Sequence, residues 1–392
     1  MKVLFCDPLN TQNNFYIYAK YLRQYGVDAE VVMDSQFVPQ DSLPNWHDSE
    51  SYEWIHYFDL PYFVPLKNPV KYLVQSKKLI DFAKGFDLIV CSGLAPIWMR
   101  WTGKPFIFFS YGADLDQVAL KGWSGIPTQE ITAWQRVIYF VLKHHLVGSL
   151  RKAKATVLAP HQVVTAEKVR LKNLYFLPHI IDTKVFKPLA NREQERSKLR
   201  QNLNCDLILF HPPRQTWVDR TVTDCKGNDK VFRAFAEFIQ IYSKRAKLLV
   251  VNKGWDVEHS KSLIKELEIE DKVVWLDPIP KSEMVRLYNA ADIVFDQFVV
   301  GVLALVAIEA MACGTPAMTY VTEATDGLYP NRPPIINAHH ESDIVRRLCA
   351  LADSAEYRGR RGIEGRKWVE DNCSPGVSVP QHIEFLMRWI NG

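Results

Sequence analysis

The segment Ile308-Glu309-Ala310-Met311-Ala312-Cys313-Gly314-Thr315-Pro316 constrains this chain more than any other stretch. A strand-like run, Ala291-Asp292-Ile293-Val294-Phe295-Asp296, precedes it, and a second run, Ala317 to Val321, follows. The pattern predicts a short helix between two strands of a parallel sheet. Gly314 falls just past that helix, where a left-handed residue closes the last turn, and Thr315-Pro316 opens the next strand. In an open α/β sheet, ligands lie at the carboxyl ends of strands, against helix N-termini. A carboxylate there accepts hydroxyl protons from a ribose while helix amides face a phosphate. Glu309 and its surroundings therefore read as half of a nucleotide site.

The rest of the chain repeats the strand–helix alternation. Lys2–Cys6, Ala29–Val32, Leu88–Cys91, Pro105–Phe109, Ala155–Leu158 and Leu174–Leu177 read as strands. Tyr18, Leu22 and Tyr25 repeat on one face of a helix from Asn14 that ends at Gly26, and Lys71–Lys84 is a second helix. After Lys187-Pro188, strands are predicted at Leu207–His211, Lys247–Asn252 and Val273–Leu276. Helices are predicted at Asn228–Tyr242, Ser260–Leu267 and Ser282–Ala290. The charged stretch Asn191–Gln201 reads as a linker or an exposed helix. The alternation predicts an α/β chain of two doubly wound, Rossmann-like domains facing a cleft. The boundaries are 1–188, 189–376, and a C-terminal helix in 377–392 that packs back on the first domain. A length of 392 residues suits two domains of ordinary size.

Composition excludes several classes. A net charge of +4, from 48 basic and 44 acidic residues, gives no case for nucleic-acid binding. Seven cysteines without CxxC spacing suggest reduced thiols, a cytoplasmic location and no zinc site. No apolar run is long enough to span a membrane, and the N-terminal strand is too short for a signal peptide.

Three features of the second domain converge on one chemistry. Phe210-His211-Pro212-Pro213-Arg214 ends its first strand, Lys226-Gly227-Asn228-Asp229 precedes its first helix, and Gly301 to Glu309 opens the helix described above. A guanidinium from Arg214 grips two phosphate oxygens, and the Lys226 ammonium adds a point charge. Such a pair suits a diphosphate leaving group, on which charge builds as a bond to it breaks. The plain alternative is a solvated salt-bridge pair, and Arg220 competes with Arg214 for the arginine role.

With these residues in view, the second half resembles the C-terminal domain of retaining family 4 glycosyltransferases of the GT-B fold. Arg214 and Lys226-Gly227 match that family's phosphate loop, with a longer gap than usual. Ile308–Pro316 matches its "EAMACGTP" segment, and Pro178-His179-Ile180-Ile181-Asp182, with Phe186 and Pro188, is similar to its hinge signature. The likeness is strong over about half the chain and weak over the N-terminal half. It implies a glycosyltransferase that moves a sugar, with retention, from a nucleotide-sugar donor to a glycan, lipid-linked or small-molecule acceptor. It further implies no metal and no cofactor besides the nucleotide-sugar co-substrate. Arg214, Lys226 and Glu309 take the catalytic places. Gly301, Val302, Leu303, Ala304, Asp296, Gln297 and Ile279 form the donor-binding set.

The departures are informative. Gly301 stands where the family has a first glutamate, which contacts the sugar. Backbone amides of Val302–Ala304, or Asp296-Gln297, are the expected substitutes, although Asp296 also reads as a strand-end turn residue. Gly301 is expected to let the loop backbone approach the donor from a solvent-filled cleft. In the first domain, Asn10–Asn14 replaces a Gly-Gly loop. Asn13, Asn14, Ser92, Tyr111 and Asp114 are the acceptor-binding expectation, with ordinary turn or loop roles as the alternative. Asp114-Leu115-Asp116 has the spacing of a metal motif but lies in the acceptor domain.

Trp134–Lys154 mixes apolar residues with Arg136, Lys143, His144, His145, Arg151, Lys152 and Lys154. It reads as a helix lying on an anionic membrane at the inner face, or as an ordinary domain helix with a basic edge, which is the preferred reading. Two function classes outside transfer stay open: a nucleotide-sugar epimerase, and a non-catalytic nucleotide-sugar-binding protein.

Overall fold

Short strands that are apolar along their whole length suit a parallel sheet covered on both faces. The computed structural model contains two such sheets and describes residues 1–6, 14–34, 53–59, 69–120, 133–220, 224–242 and 245–390. The chain divides into two compact units: Met1–Ile180 with Ser378–Gly392, and Ile181–Val377.

In the first unit, β1 (Lys2–Cys6), β2 (Asp28–Asp34), β3 (Ile55–Phe58), β4 (Leu88–Cys91), β5 (Phe106–Phe109), β6 (Ala155–Val157) and β7 (Leu174–Tyr175) form one sheet. Its order is β3-β2-β1-β4-β5-β6-β7, with every pairing parallel. The helices are α1 (Asn14–Gln24), α2 (Pro69–Ala83), α3 (Pro96–Met99), α4 (Ala133–Leu150) and α5 (Val163–Lys168). Strands β4 and β5, with the sequences LIVC and FIFF, are buried throughout.

The second unit begins with α6 (Arg192–Leu203). Its sheet contains β8 (Leu207–His211), β9 (Ala246–Val251), β10 (Val273–Leu276), β11 (Ile293–Phe295), β12 (Ala317–Thr319) and β13 (Ile336–Asn337). The order is β10-β9-β8-β11-β12-β13, again parallel. Helices α7 (Asn228–Ile241), α8 (Val257–Glu266), α9 (Lys281–Ala290), α10 (Leu305–Ala312), α11 (Glu323–Asp326), α12 (Glu341–Asp353) and α13 (Ala355–Asn372) surround it. A last helix, α14 (Pro375–Met387), returns the chain to the first unit. There His382 Nε2 hydrogen-bonds the Pro178 carbonyl at 2.9 Å, and Phe385 packs edge-on to Tyr175.

The charged stretch read as a linker or exposed helix is α6, and it is not a loose connection. None of its residues is fully buried, so arginines rather than an apolar stripe hold it. Arg196 donates to the carbonyls of Asn289, Ala290 and Ala291, and Arg200 donates to Asp292 Oδ1 at 2.7 Å. Asp292 is buried, and its other oxygen accepts the Ile208 amide at 2.8 Å. A buried carboxylate needs such partners, because desolvation alone would expel it.

Two glycines on α13 let it approach α10. A Cβ on Gly362 would lie 2.2 Å from the Gly314 carbonyl oxygen, and one on Gly365 would lie 3.0 Å from Met311 Cγ. The helix that carries Glu309 is seated by that contact. Gly314 has φ +71, the left-handed value expected past the end of α10. All seven cysteines are free thiols. Among the described residues, no helix is long and apolar enough to cross a membrane.

Candidate functional site

Strand order in the second sheet reverses between β8 and β11, which pair directly. Loops leaving the carboxyl ends of two such strands diverge and open a crevice between them. The β8 loop carries Arg214 and Lys226. Its start is fixed by His211, whose Nδ1 faces the Phe295 carbonyl at 3.3 Å and whose Nε2 lies 2.9 Å from Asn228 Nδ2. Burial holds this imidazole down to about 4, so it stays neutral and accepts from Asn228. Asn228 also donates to the Arg214 carbonyl and accepts the Thr216 amide. The loop ends at Gly227, the residue before α7, with φ +69. A side chain there would meet Val299 Cγ2 at 2.9 Å, so the glycine admits the neighbouring loop.

Arg214 and Lys226 come together on one carboxylate. Asp224 Oδ2 is 2.6 Å from Arg214 Nη2, and its Oδ1 is 2.9 Å from Lys226 Nζ. Arg220 is engaged elsewhere, paired with Asp229 in the first turn of α7. Arg214, and not Arg220, shares a carboxylate with Lys226.

The β11 loop is wrapped around Gln297. This side chain is fully buried. Its Oε1 accepts the amides of Val299, Val300 and Gly301 at 3.2, 2.8 and 3.2 Å, and its Nε2 donates to the carbonyls of Val302 and Tyr320. With its amide fully engaged, Gln297 organises the loop and does not face a ligand, which corrects its place in the donor-binding set. Gly301 also departs from expectation. It is buried, with φ +78, and an added Cβ would lie 2.6 Å from Thr322 Cγ2 and 3.0 Å from Tyr320 Cε1. Its carbonyl accepts from the Thr322 amide and the Thr325 hydroxyl. The glycine is required by its own unit, not left open toward a solvent-filled cleft.

Asp296 is likewise enclosed, at 2% exposure, and its Oδ2 accepts the Ala307 amide at 3.1 Å. It occupies an amide of the α10 N-terminus, which the sequence had suggested for phosphate, and it is neither a free sugar ligand nor a solvated turn residue. Burial pushes its carboxyl up to about 6, against the opposing pull of Lys226 and the Ala307 amide. Val302 and Ala304 are partly exposed before α10, whereas Leu303 is buried. Ile279 is partly exposed in the segment joining β10 to α9.

Glu309 is 3% exposed and already held. Its Oε1 accepts Lys281 Nζ at 2.6 Å and its Oε2 accepts the Tyr288 hydroxyl at 2.9 Å. Sequence reasoning missed Lys281, Tyr288 and Asp224. Lys281 and Tyr288 lie seven residues apart on α9, a two-turn spacing that puts them on one face and could have flagged them.

In the first unit, Asn14 starts α1 and is buried, and Asn13 lies outside the described residues. Ser92 follows β4 and is fully buried. The Tyr111 ring packs 5.5 Å from that of Phe15, next to Asn14. Asp114 Oδ1 accepts from the Ser110 hydroxyl and the Leu115 amide, and Oδ2 accepts from the Gly93 and Tyr111 amides. Asp114 joins Tyr111 to the Gly93 amide beside Ser92, past the ends of β4 and β5, and Tyr111 reaches Phe15 beside Asn14. Asp114, saturated by these donors, braces those strand ends; it does not offer a free oxygen to an acceptor. Asp116 is bound by Thr165 and Gln162, so neither carboxylate of the Asp-x-Asp pair projects unpartnered. No cluster of metal-ligating side chains exists among the described residues.

Residues 217–329 match the family model described as glycosyl transferases group 1. That match lies within the second unit. The matched span contains Lys226, the whole β11 loop and Glu309, while Arg214 lies just before it. D-inositol 3-phosphate glycosyltransferase from Corynebacterium aurimucosum is 34% identical over 182 residues, which is 45% of this chain and 39% of that protein. The protein of the same name from Corynebacterium diphtheriae is 32% identical over 142 residues, 35% of this chain and 32% of its own length. The chain thus matches between a third and two fifths of these relatives. Fold likeness is broader. Sucrose-phosphate synthase from Thermosynechococcus elongatus superposes with a TM-score of 0.70 at 16% identity, over 99% of this chain and 98% of the other. Anabaena HepE, solved in complex with UDP-glucose, superposes with a TM-score of 0.70 at 15% identity, over 99% and 100%. Two parallel sheets flanked by helices, in this order, are the two halves of the GT-B fold.

Two predictions follow from the β11 loop. Gly301→Ala is expected to destabilise the protein by about 1–3 kcal/mol through overpacking against Thr322, with a further cost of roughly 1 kcal/mol for the left-handed backbone. Gly301→Glu should do so at least as strongly. Thermal melts check this, and wild-type melting of the alanine variant would contradict the steric account. The second concerns Asp296. Its folded carboxyl binds protons that the unfolded chain has released, so stability falls as pH rises from about 4 to about 6 and stays low above. Asp296→Asn should therefore gain more melting temperature at about pH 7.5 than at about pH 4.5. An equal change at both values would reject the buried-charge explanation.

Proposed function

We propose that this protein is a glycosyltransferase whose donor is a nucleoside-diphosphate sugar. The observation that carries the reading is the convergence of Arg214 and Lys226 on one carboxylate, Asp224, with Lys226 and Glu309 both acting on Asp296, which binds the α10 N-terminus. Two cations at a strand-order reversal suit a diphosphate, whose charge grows as the glycosidic bond breaks. Glu309, oriented by Lys281 and Tyr288, has lone pairs left for the two hydroxyls of a ribose. HepE, solved with UDP-glucose, supports a nucleotide-sugar donor for the same fold. The positive charge comes from side chains and helix amides, so transfer proceeds without a divalent metal. With no general base placed among the described residues, the leaving phosphate accepts the hydroxyl proton, which corresponds to retention. The acceptor falls to the first unit, around Asn14, Ser92 and Tyr111.

Peripheral membrane contact belongs to the same reading, with a lipid-linked acceptor as the corresponding substrate. On α4, Val137, Phe140 and Val141 are exposed at i, i+3 and i+4, with Lys143 and His144 following. On α2, Val70, Leu73 and Val74 repeat that spacing near Lys71. Two exposed apolar stripes with basic neighbours suit an anionic lipid surface.

Arg214→Ala and Lys226→Ala are each expected to lower kcat/KM by about 100- to 1000-fold, the scale for losing a donor to developing charge. Arg220→Ala should leave the rate near wild type. Turnover of a nucleotide-sugar panel, with and without glycan and lipid-linked acceptors, is the measurement. Sugar released only with an acceptor supports transfer; a changed sugar without one indicates an epimerase, and no turnover with retained binding indicates a binding protein. For the membrane contact, sedimentation with phosphatidylglycerol vesicles should be lost in Phe140→Asp and unchanged in the exposed α13 variant Ile363→Asp. Equal sedimentation of all three proteins would reject it.

A further inference from the structure

The β8 loop holds a third charged group that the phosphate reading does not use. Asp224 sits two residues before Lys226 and bridges it to Arg214, one oxygen to each cation. Arg214 is 47% exposed at its side chain, Asp224 28% and Lys226 19%, so the pair of contacts borders solvent. The cations are not fixed by this carboxylate alone. The Lys226 amide donates to the Thr216 carbonyl at 2.7 Å, its own carbonyl accepts the Phe298 amide at 2.8 Å, and the Arg214 carbonyl is held by Asn228. The backbone thus places both residues without help from Asp224. Burial acts to raise the Asp224 carboxyl, but Lys226 and Arg214 outweigh it and hold it below the usual range.

We propose that Asp224 is an internal competitor of the donor: it takes the same two cations as the donor diphosphate and must leave them when an anion binds there. This rests on the reading of Arg214 and Lys226 as the diphosphate site. A carboxylate bridging two cations presents one negative charge through two oxygens. The two ion pairs are lost whichever anion binds, so the same cost is subtracted from phosphate and from diphosphate. A single phosphate makes two similar contacts and keeps little net affinity, whereas a diphosphate brings more charge and more oxygens and keeps a clear net gain. Displaced, Asp224 moves toward solvent, which its partial exposure permits. No covalent step is involved.

The test titrates inorganic pyrophosphate and inorganic phosphate into the full chain by calorimetry. In Asp224→Asn, phosphate and pyrophosphate should each bind about tenfold more tightly, the equivalent of about 1.4 kcal/mol, with the preference between them unchanged. Asp224→Glu keeps the competing charge and should retain the wild-type affinities, which also guards against a folding defect in the asparagine variant. Weaker or unchanged binding of both anions in a folded Asp224→Asn would overturn the proposal and make Asp224 a structural support. Arg214→Ala and Lys226→Ala serve as the separate check on the site itself. If neither weakens pyrophosphate, the diphosphate reading fails; if both do while Asp224→Asn has no effect, only the competitor role fails.

Discussion

Five hydrogen bonds to one amide side chain hold the loop on which the candidate site depends. After β11 the chain must turn back within a few residues and present a helix N-terminus beside the end of β8. Gln297 makes that turn possible by taking three successive amides on its oxygen and two carbonyls on its nitrogen. Buried backbone groups left unpaired would each cost about 1–3 kcal/mol, so a turn this tight needs an internal substitute for water. Gly301 is the matching backbone condition. With φ +78 and Thr322 packed against its α-carbon, it has no room for a side chain. The absence of a glutamate at this position is thus a steric consequence of how this loop closes.

Charge in the second unit follows one rule with one relaxed case. Asp292 is buried and gripped by Arg200 and the Ile208 amide, and that grip also fastens α6. Glu309 is buried and gripped by Lys281 and Tyr288. Both arrangements offset the desolvation of a carboxylate with specific partners. Asp224 differs because its partners border solvent and are held by their own backbones. An ion pair at such a place contributes little to stability, typically below about 1 kcal/mol, and is exchangeable for a ligand at small cost. The distinction between structural and exchangeable ion pairs is therefore set by burial, not by distance, since the distances are alike.

Much of the fold was legible in the sequence because its strands are short, apolar and separated by helices of clear periodicity. β4 and β8 were read to the residue. The edge strands β3 and β13 were not, because a half-covered strand such as Ile55-His56-Tyr57-Phe58 lacks a continuous apolar run. Helix α13 has glycines at 359, 362 and 365, which weaken any helical reading, yet two of them are what allow it to pack on α10. For the site, Arg214, Lys226 and Glu309 were singled out by residue type and place, and the structure puts Arg214 and Lys226 on one carboxylate. What remained hidden were the partners. The spacing of Lys281 and Tyr288 puts them on one face of α9, but that Glu309 is what they meet is a tertiary contact, as is the one between Asp224 and Arg214. Asp296, Gln297 and Asp114 carry the same lesson in reverse: a polar residue at a strand end reads as a ligand contact when its backbone partners cannot be seen.

The two contacts that hold Glu309 bear on how a ribose would be held. A carboxylate offers about four lone-pair directions, two per oxygen. Lys281 and Tyr288 take one on each oxygen, from the α9 side, which leaves one on each for an incoming pair of vicinal hydroxyls. A carboxylate fixed at both oxygens cannot swing to meet a ligand, so its geometry is set before binding. That preorganisation removes a side-chain ordering cost of about 0.5–1.5 kcal/mol from the binding step. On the proposed reading it would also tie ribose recognition to α9. Lys281 is the first residue of that helix and follows Pro280, whose extended backbone fixes where the helix begins. A shift in the β10–α9 segment would thus be felt at Glu309, with Ile279 lying on the path.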